Sequence, residues 1–329
     1  MTVPTVDSYI AALLGELVGD IRGARYEHKK QREIAEMISR SGGIALDDFE
    51  SPWPGDNGKI IRGDQPTDDS EATARYAQAL TRVGAFDAQV IYHEQRLFMI
   101  DRQSMLADEP IGQGSTLKSA LEPLTYLDSL YKFGRGETLV SPSNGALMRN
   151  TPTYLMYQGR EDHLVRYSKW QSCITHTHPL SQVACIAHSL MGSLILDGLH
   201  PVEAWRKTKE ILSDNKYKKM PDLDAILELK PTEITEEELW PKDKDHTGHV
   251  IHSLRIAIWA ATTARNYRDG IEKCIRIGGD TDTYAAIAGG FLGAHFGMDS
   301  FPSEWLANAQ GLKVMIDLAQ KLHKLAVRT

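Results

Sequence analysis

The chain has 329 residues, enough for one large domain or two ordinary ones and for a substantial apolar core. Its 37 Lys and Arg residues face 44 Asp and Glu residues, a formal net charge of −7, which excludes a general basic surface for nucleic acid but leaves a localised anion site open. Three widely spaced cysteines without a C-x-x-C pair argue against a disulfide framework or a thiolate zinc site, and favour free thiols in a reducing compartment.

Apolar residues at helical spacing predict helices along most of the chain. Residues 7–19 form an amphipathic stripe that is predicted to end at Gly19-Asp20. From Asp69 the pattern repeats, with polar residues 67–70 at the helix start and Gly84 as the stop. Further helices are predicted at about 115–133, 159–174, 179–198, 201–213, 248–266, 283–297 and 304–326. Short β-branched runs such as residues 90–92 occur, but no regular strand series does, so the fold class is predicted to be all-α.

Residues 213–246 interrupt the helical pattern with a run of Lys, Asp, Glu and three prolines. We interpret this segment as a solvated surface excursion with one short helix near residues 223–229, or as a loop that overhangs a site. Loops of this size occur inside one domain, so one domain over residues 1–329 is predicted. Residues 1–8 lack a secretory signal, and the apolar stretch 284–296 is shorter than the roughly 20 residues that span a bilayer. A cytoplasmic protein without a membrane anchor is expected.

Two acidic clusters stand out, more than 200 residues apart. Thr67-Asp68-Asp69-Ser70-Glu71, taken alone, is typical of a helix cap. Gly278-Gly279-Asp280-Thr281-Asp282-Thr283 places two acids at an otherwise apolar helix start, where buried carboxylates would be very unfavourable without cations. Both offer only carboxylate and hydroxyl oxygens, which select Mg²⁺, Mn²⁺ or Ca²⁺ over zinc or copper. Two such helix starts facing each other would hold a pair of ions about 3.5–4 Å apart.

Several stretches match, in order, the motifs of a known family. They are Ala11-Ala12-Leu13-Leu14-Gly15 with Val18-Gly19-Asp20, Gly23-Ala24 and Glu27; Thr67-Asp68-Asp69-Ser70; Ser143-Asn144-Gly145-Ala146-Leu147-Met148-Arg149; Thr175-His176-Thr177-His178-Pro179; Gly248-His249-Val250 through Ala257-Ile258-Trp259; and residues 278–283 with Ala285-Ala286-Ile287-Ala288-Gly289. On these residues the chain resembles the ADP-ribosylglycohydrolase family, which includes hydrolases of ADP-ribosylarginine and ADP-ribosylserine.

The resemblance implies a compact, single-domain, orthogonal helical fold around a central dinuclear site that holds two Mg²⁺ or Mn²⁺ ions. The metal ligands that it implies are Thr67, Asp68, Asp69, Asp280, Asp282 and Thr283. Catalytic roles fall to Asp280, Asp282 and Glu27, the last as a mobile acid. The implied substrate contacts are Ser143, Asn144, Gly145, Met148, Arg149, His176 and His178. Without the family context, Glu27 would be a solvated acid, Asn144-Gly145 a plain turn, Arg149 a helix cap and the two histidines structural.

The activity implied is removal of ADP-ribose from a modified protein side chain, with arginine as the favoured acceptor. The alternatives are ADP-ribosylserine, O-acetyl-ADP-ribose or another small ADP-ribosyl conjugate, and a non-catalytic ADP-ribose-binding protein. The partner would be an ADP-ribosylated protein or small molecule, and the chain is expected to act as a monomer. Three features depart from the family pattern: Glu16 replaces a small or apolar residue, the charged excursion is long, and residues 85–139 match poorly. Trp53 is interpreted as a packing or surface residue.

Overall fold

The computed structural model describes residues 4–53, 58–112, 114–123, 125–129, 141–231, 233–240 and 248–327, which are mostly helical. The helices are α1 (Val6–Ala24), α2 (Gln31–Ser41), α3 (Asp68–Val83), α4 (Ala88–Met99), α5 (Ser115–Leu121), α6 (Thr151–Met156), α7 (Glu161–Cys173), α8 (Pro179–Leu196), α9 (Pro201–Leu212), α10 (Leu223–Leu227), α11 (Glu236–Leu239), α12 (Val250–Thr263), α13 (Tyr267–Ile277), α14 (Thr281–Phe296), α15 (Ser303–Leu306) and α16 (Leu312–Ala326). Within the described ranges, strand structure is limited to the antiparallel pair β1 (Phe49–Glu50) and β2 (Ile60–Ile61). The predicted all-α class is confirmed.

Helix α3 follows its sequence signals closely. Thr67 is its N-cap and accepts a hydrogen bond from the backbone N–H of Asp69, and Gly84 ends it in the left-handed conformation. Residues 90–92, β-branched in part, lie inside α4, and the predicted helix 304–326 is divided into α15 and α16. Helix α5 ends at Leu121, residues 126–129 of the predicted range are helical again, and residues 130–133 lie outside the described part of the chain.

The prediction that the first helix ends at Gly19-Asp20 is wrong, because α1 continues to Ala24. Long-range packing explains the continuation. A Cβ built on Gly19 would lie 2.1 Å from the carbonyl oxygen of Ala285 on α14, and one built on Gly15 would lie 2.2 Å from that of Gly289. The two helices therefore contact each other backbone to backbone, and glycine is needed at the crossing points. This contact brings the last turns of α1 beside the start of α14.

The core is one large apolar cluster that extends from Tyr9 to Leu322. Helix α14 is buried on all sides from Thr281 to Gly293, as expected for a central helix without an amphipathic pattern. Within the described residues, α8 is long and apolar enough to cross a membrane, but 78% of it is buried inside the protein, the situation of a core helix. All three cysteines are free, as predicted.

The charged excursion 213–246 is anchored rather than wholly solvated. Its short helix α10 lies where one was predicted, and Leu223, Ile226 and Leu239 are buried in the core. None of its described residues lines the cavity considered below. Residues 232 and 241–246 lie outside the described residues.

Candidate functional site

A cavity of about 660 Å³ lies where the starts of α3 and α14 meet the turn after α1. Eleven of the residues predicted to form a site line it: Glu27, Asp68, Asp69, Ser143, Asn144, Gly145, Met148, His176, Asp280, Asp282 and Thr283. Residues separated by more than 250 positions in sequence are therefore brought together in one place. Two groups of lining residues are named the Asn144 wall (Ser143, Asn144, Gly145, Met148 and His176) and the Trp53 wall (Glu27, His28, Trp53 and Lys59). Arg102, residues 110–112 and 114–117, and Gly248 also line the cavity.

Two groups of carboxylates lie at the floor of the cavity, and all their members except the fully buried Asp20 line it. Asp20, Asp69 and Asp282 make one triad, and Glu27, Asp280 and Asp282 make the other. In each triad one oxygen per residue lies within 4.8 Å of the others. Asp282 belongs to both triads, so it is the residue that joins the two acidic motifs of the sequence.

Asp20 is a site residue that the sequence interpretation missed as a ligand. It is fully buried, and it accepts hydrogen bonds from the backbone N–H (3.0 Å) and Oγ1 (2.7 Å) of Thr67 and from the backbone N–H of Ser70 (3.1 Å). A carboxylate on α1 therefore binds the positive start of α3. If the first helix is continued past Gly19, Asp20 lies one turn after the buried Glu16 and therefore on the same buried face of the helix. This position marks Asp20 as a candidate site residue.

The turn after α1 is bound to the start of α14 by backbone hydrogen bonds. The N–H of His28 donates to the carbonyl of Gly279 (2.7 Å), and the N–H of Gly279 donates to the carbonyl of Lys29 (3.0 Å). Gly278 has φ 77°, and a Cβ there would lie 2.7 Å from the carbonyl oxygen of Lys29. The glycine pair therefore lets the turn approach closely enough to bring Glu27 beside Asp280.

The Asn144 wall is fixed to the acidic floor by one side chain. Asn144 Nδ2 donates to Oδ2 of Asp280 (2.6 Å) and to Oγ of Ser253 (2.9 Å). A Cβ on Gly145 would lie 2.9 Å from the ring of His176, so the glycine lets the ring approach. Burial lowers the pKa of His176 to about 3, so its imidazole is neutral near pH 7. The wall thus offers neutral donors and acceptors next to the carboxylates.

Three predicted site residues lie away from the cavity lining. Arg149 is fully buried and donates to the carbonyl of Gly145 and to Gln171 and Thr175, so it supports the wall from inside the protein. His178 is the N-cap of α8, where its Nδ1 accepts from the N–H of Leu180 (3.0 Å). The hydroxyl of Thr67, as described above, is hydrogen-bonded to Asp20.

Trp53 has a larger role than the packing that its sequence suggested. It does pack against a small apolar cluster, but it also lines the cavity, and its Nε1–H donates a hydrogen bond to Oε2 of Glu27. The other carboxylate oxygen of Glu27 lies 3.3 Å from Nε2 of His28. Glu27 is therefore held by the indole N–H of Trp53, with the ring of His28 beside its other oxygen.

The carboxylates of the floor are strongly perturbed. Burial, together with repulsion from Asp280 and Asp68, raises the pKa of Glu27 well above its usual range, and burial followed by repulsion from Glu27 and Asp69 does the same for the pKa of Asp282. Burial raises the pKa of Asp68 to about 7. So many buried acids are stable in ionised form only with cations between them.

The donor set fits hard divalent cations. Oδ1 of Asp69 and Oδ1 of Asp282 are buried and have no hydrogen-bond partner among the described residues. Each of these two oxygens belongs to a residue of a triad. The triads consist only of carboxylates, so the metal ligands that they offer are oxygens, which Mg²⁺, Mn²⁺ and Ca²⁺ prefer. The acidic clusters can therefore hold metal ions.

Glu16 lies behind this site and allows a test of the buried carboxyl groups. It is fully buried, its Oε1 accepts from the hydroxyl of Thr73, and burial raises its pKa from 4.5 to about 8. The folded protein therefore prefers protonated Glu16. The stability gained from that proton is complete below pH 4.5 and is lost as the pH rises toward 8.

We expect Glu16→Gln to remove this pH dependence, because the amide cannot ionise. Urea unfolding at pH 5, 6, 7 and 8 in EDTA should show wild-type stability falling by roughly 3 kcal/mol more than that of the variant across this range. Parallel pH profiles for the two proteins would show that Glu16 ionises without a penalty in the folded state.

Comparisons with known proteins agree with this geometry. A sequence model described as ADP-ribosylglycohydrolase matches residues 1–329. The ADP-ribosyl-[dinitrogen reductase] glycohydrolase of Rhodospirillum rubrum is 24% identical over 93% of this chain and 92% of its own length. The ADP-ribosylarginine hydrolase Tri1 of Pseudomonas putida (strain GB-1) is 26% identical over 96% and 78%. A solved structure described as an ADP-ribosylglycohydrolase-related protein complex has the same fold, with a TM-score of 0.71 at 22% identity over 98% of both chains.

Proposed function

Since this chain belongs to the ADP-ribosylglycohydrolase family, we propose that it removes ADP-ribose from modified arginine side chains. The observation that carries the proposal is the pair of triads sharing Asp282, on the floor of a cavity with a neutral polar wall on one side. The choice of arginine is supported by relatives named as ADP-ribosylarginine hydrolases in Serratia proteamaculans and Pseudomonas putida.

We propose two Mg²⁺ or Mn²⁺ ions as the cofactors. Asp20, Asp69 and Asp282 would hold one ion, and Glu27, Asp280 and Asp282 the other, with Asp68 and Thr283 beside them. When bound, such ions would act as Lewis acids toward the ribose hydroxyls and lower the pKa of water. In this scheme Asp20 takes the place of the predicted hydroxyl ligand Thr67. The hydroxyl of Thr67 instead donates a hydrogen bond to the carboxylate of Asp20 and so orients it.

The reaction consists of attack by water on the ribose carbon and departure of the acceptor nitrogen. Asp280 and Asp282 are placed to accept the proton of that water, and Asn144 keeps the Asp280 carboxylate in position. Positive charge develops on the ribose in the transition state, and the carboxylates of the floor stabilise it. Glu27, held at the edge of the floor by Trp53, is placed to polarise the departing group.

The Asn144 wall is proposed to bind the ADP part of the substrate. Gly145 lets a bulky group come close to the backbone, and the neutral ring of His176 can pack against a sugar or base without a charge penalty. Arg149 keeps the loop in shape through its bond to the Gly145 carbonyl. We assign Arg149 and His178 supporting roles rather than substrate contacts.

We further propose that the protein acts in the cytoplasm as a monomer. The three free cysteines suit a reducing compartment. Both triads draw all their carboxylates from one chain, so a second subunit is not needed to complete the site.

Release of ADP-ribose from a substrate panel tests the proposed function. With magnesium or manganese added, we expect the purified protein to release ADP-ribose from an ADP-ribosylarginine peptide, and EDTA to abolish the release. A matched ADP-ribosylserine peptide and O-acetyl-ADP-ribose complete the panel. Cleavage of the serine peptide without cleavage of the arginine peptide would overturn the proposed acceptor, and binding of ADP-ribose without any cleavage would indicate a reader protein.

A further inference from the structure

Trp53 is the aromatic residue of the Trp53 wall, and its ring is firmly placed. It follows β1, and it packs against the small cluster of Ala24, Phe49, Ile61 and Ile111. Phe49 and Ile61 face each other across the β1–β2 pair. Apolar packing and the hydrogen bond from Nε1–H to Glu27 together fix the orientation of the indole at the edge of the cavity.

The position of Glu27 indicates which part of a substrate meets this wall. Asp280 connects the two walls, because it accepts a hydrogen bond from Asn144 and shares a triad with Glu27. If the ribose of the substrate lies at this triad and its diphosphate lies along the Asn144 wall, the remaining side of the cavity, beside Glu27 and Trp53, receives the acceptor group. The acceptor group therefore meets an indole ring.

The indole ring of this wall favours a planar cationic acceptor. Lys59 and Arg102 also line the cavity; Nζ of Lys59 lies 3.6 Å from a carboxylate oxygen of Glu109, and Arg102 donates to the carbonyl of Pro110. The carboxyl group of Glu27 lies next to the ring and accepts the hydrogen bond from the indole N–H. A planar cation stacks well on indole, and a guanidinium does so better than a compact ammonium because it is flat and weakly hydrated. A serine hydroxyl or an acetyl group has neither the charge nor the extended plane.

We propose that Trp53 determines acceptor specificity, by stacking on the guanidinium of ADP-ribosylarginine while its N–H positions Glu27. The inference rests on the proposed function. The two parts of the side chain have separable effects: the ring contributes to binding of the acceptor and so to KM, whereas the N–H contributes to the placement of Glu27 and so to kcat.

The test compares Trp53→Phe, which keeps a ring without the N–H, with Trp53→Met, which keeps bulk without a ring. For each, kcat and KM are measured with ADP-ribosylarginine in magnesium, together with the inhibition constant of free ADP-ribose, which lacks the acceptor. We expect the ratio of KM to that inhibition constant to rise about threefold in Trp53→Phe and about tenfold in Trp53→Met. Both variants should lose about tenfold in kcat, because neither can donate to Glu27.

Trp170→Phe is the matched control, because Trp170 is 48% exposed on α7 and does not line the cavity. It should leave the ratio and kcat unchanged. Far-ultraviolet circular dichroism identifies the variants that keep the wild-type fold. An unchanged ratio in either folded variant overturns the role of Trp53, and the Phe variant decides alone if the Met variant does not fold. A wild-type protein that fails to cleave ADP-ribosylarginine would instead refute the proposed function.

Discussion

Asp282→Asn should lower the hydrolysis of ADP-ribosylarginine by about a thousandfold or more, and it should remove most of the stabilisation produced by added magnesium or manganese. Asp282 is the one residue that both triads share, so its loss affects both proposed ions at once. Asparagine has nearly the same shape, which limits other changes. The measurements are steady-state kinetics and urea unfolding with and without metal.

The same substitution should have the opposite effect on the metal-free protein. In EDTA, Asp282 is a buried acid whose ionisation is opposed by burial and by repulsion from Glu27, Asp69, Asp280 and Asp20. Asparagine has no ionisable group and avoids the cost of burying this carboxyl, so Asp282→Asn should be more stable than the wild type without metal. With metal at about 100 times its dissociation constant, the wild type should gain about 2.7 kcal/mol for each bound ion, a stabilisation that the variant lacks.

Asp317→Asn is a suitable control for this experiment, because Asp317 is exposed on α16 and paired only with the exposed Lys321 in the described structure. It should change neither activity nor the response to metal. A metal-independent activity that survives in Asp282→Asn would contradict the proposed use of both triads. Equal metal stabilisation of wild type and variant would place the ions elsewhere.

The features that the sequence predicts correctly are those with local signals. The start and end of α3 follow from Thr67 and Gly84, whose capping geometry the structure shows. The two acidic motifs can be paired from their residue types, because hard-oxygen donors at two helix starts suggest one shared function. The cavity lining includes Asp69 and Asp282, as that pairing predicts.

The features that the sequence does not predict arise from contacts that no local pattern records. Gly19-Asp20 looks like a helix end unless the close packing of α1 on α14 is known, and that packing keeps Asp20 helical and inside the site. Trp53 meets Glu27 from 26 positions apart, next to the bond from Arg25 to Asp47 and the packing of Ala24 with Phe49. Arg149 matches a family motif, but its side chain turns inward to Gln171 and Thr175, a direction that the motif does not specify.

The packing of α1 on α14 leads to the second large expected effect, a loss of stability in Gly289→Ala. A Cβ at Gly289 would lie 2.1 Å from the carbonyl oxygen of Gly15, so the two helix backbones would have to separate. The neighbouring Gly290 is a matched control on the same helix, since a Cβ there meets the hydroxyls of Thr151 and Tyr154, both at 3.1 Å, and lies 3.9 Å from the carbonyl oxygen of Ala12, an ordinary contact distance. Both substitutions gain the same helix propensity, about 1 kcal/mol.

We expect Gly289→Ala to lower the free energy of unfolding by about 3 kcal/mol and Gly290→Ala to leave it within about 1 kcal/mol of the wild type, measured by urea unfolding in EDTA. Metal binding should weaken together with stability, because Asp20 on α1 and Asp282 on α14 belong to one triad and this helix contact sets the distance between them. Gly289→Ala should therefore also bind magnesium more weakly, whereas Gly290→Ala should bind it as the wild type does. Equal metal affinity in the two variants would mean that the triad does not depend on the spacing of these helices, and that the acidic floor is held in place by α3 and the turn after α1 instead.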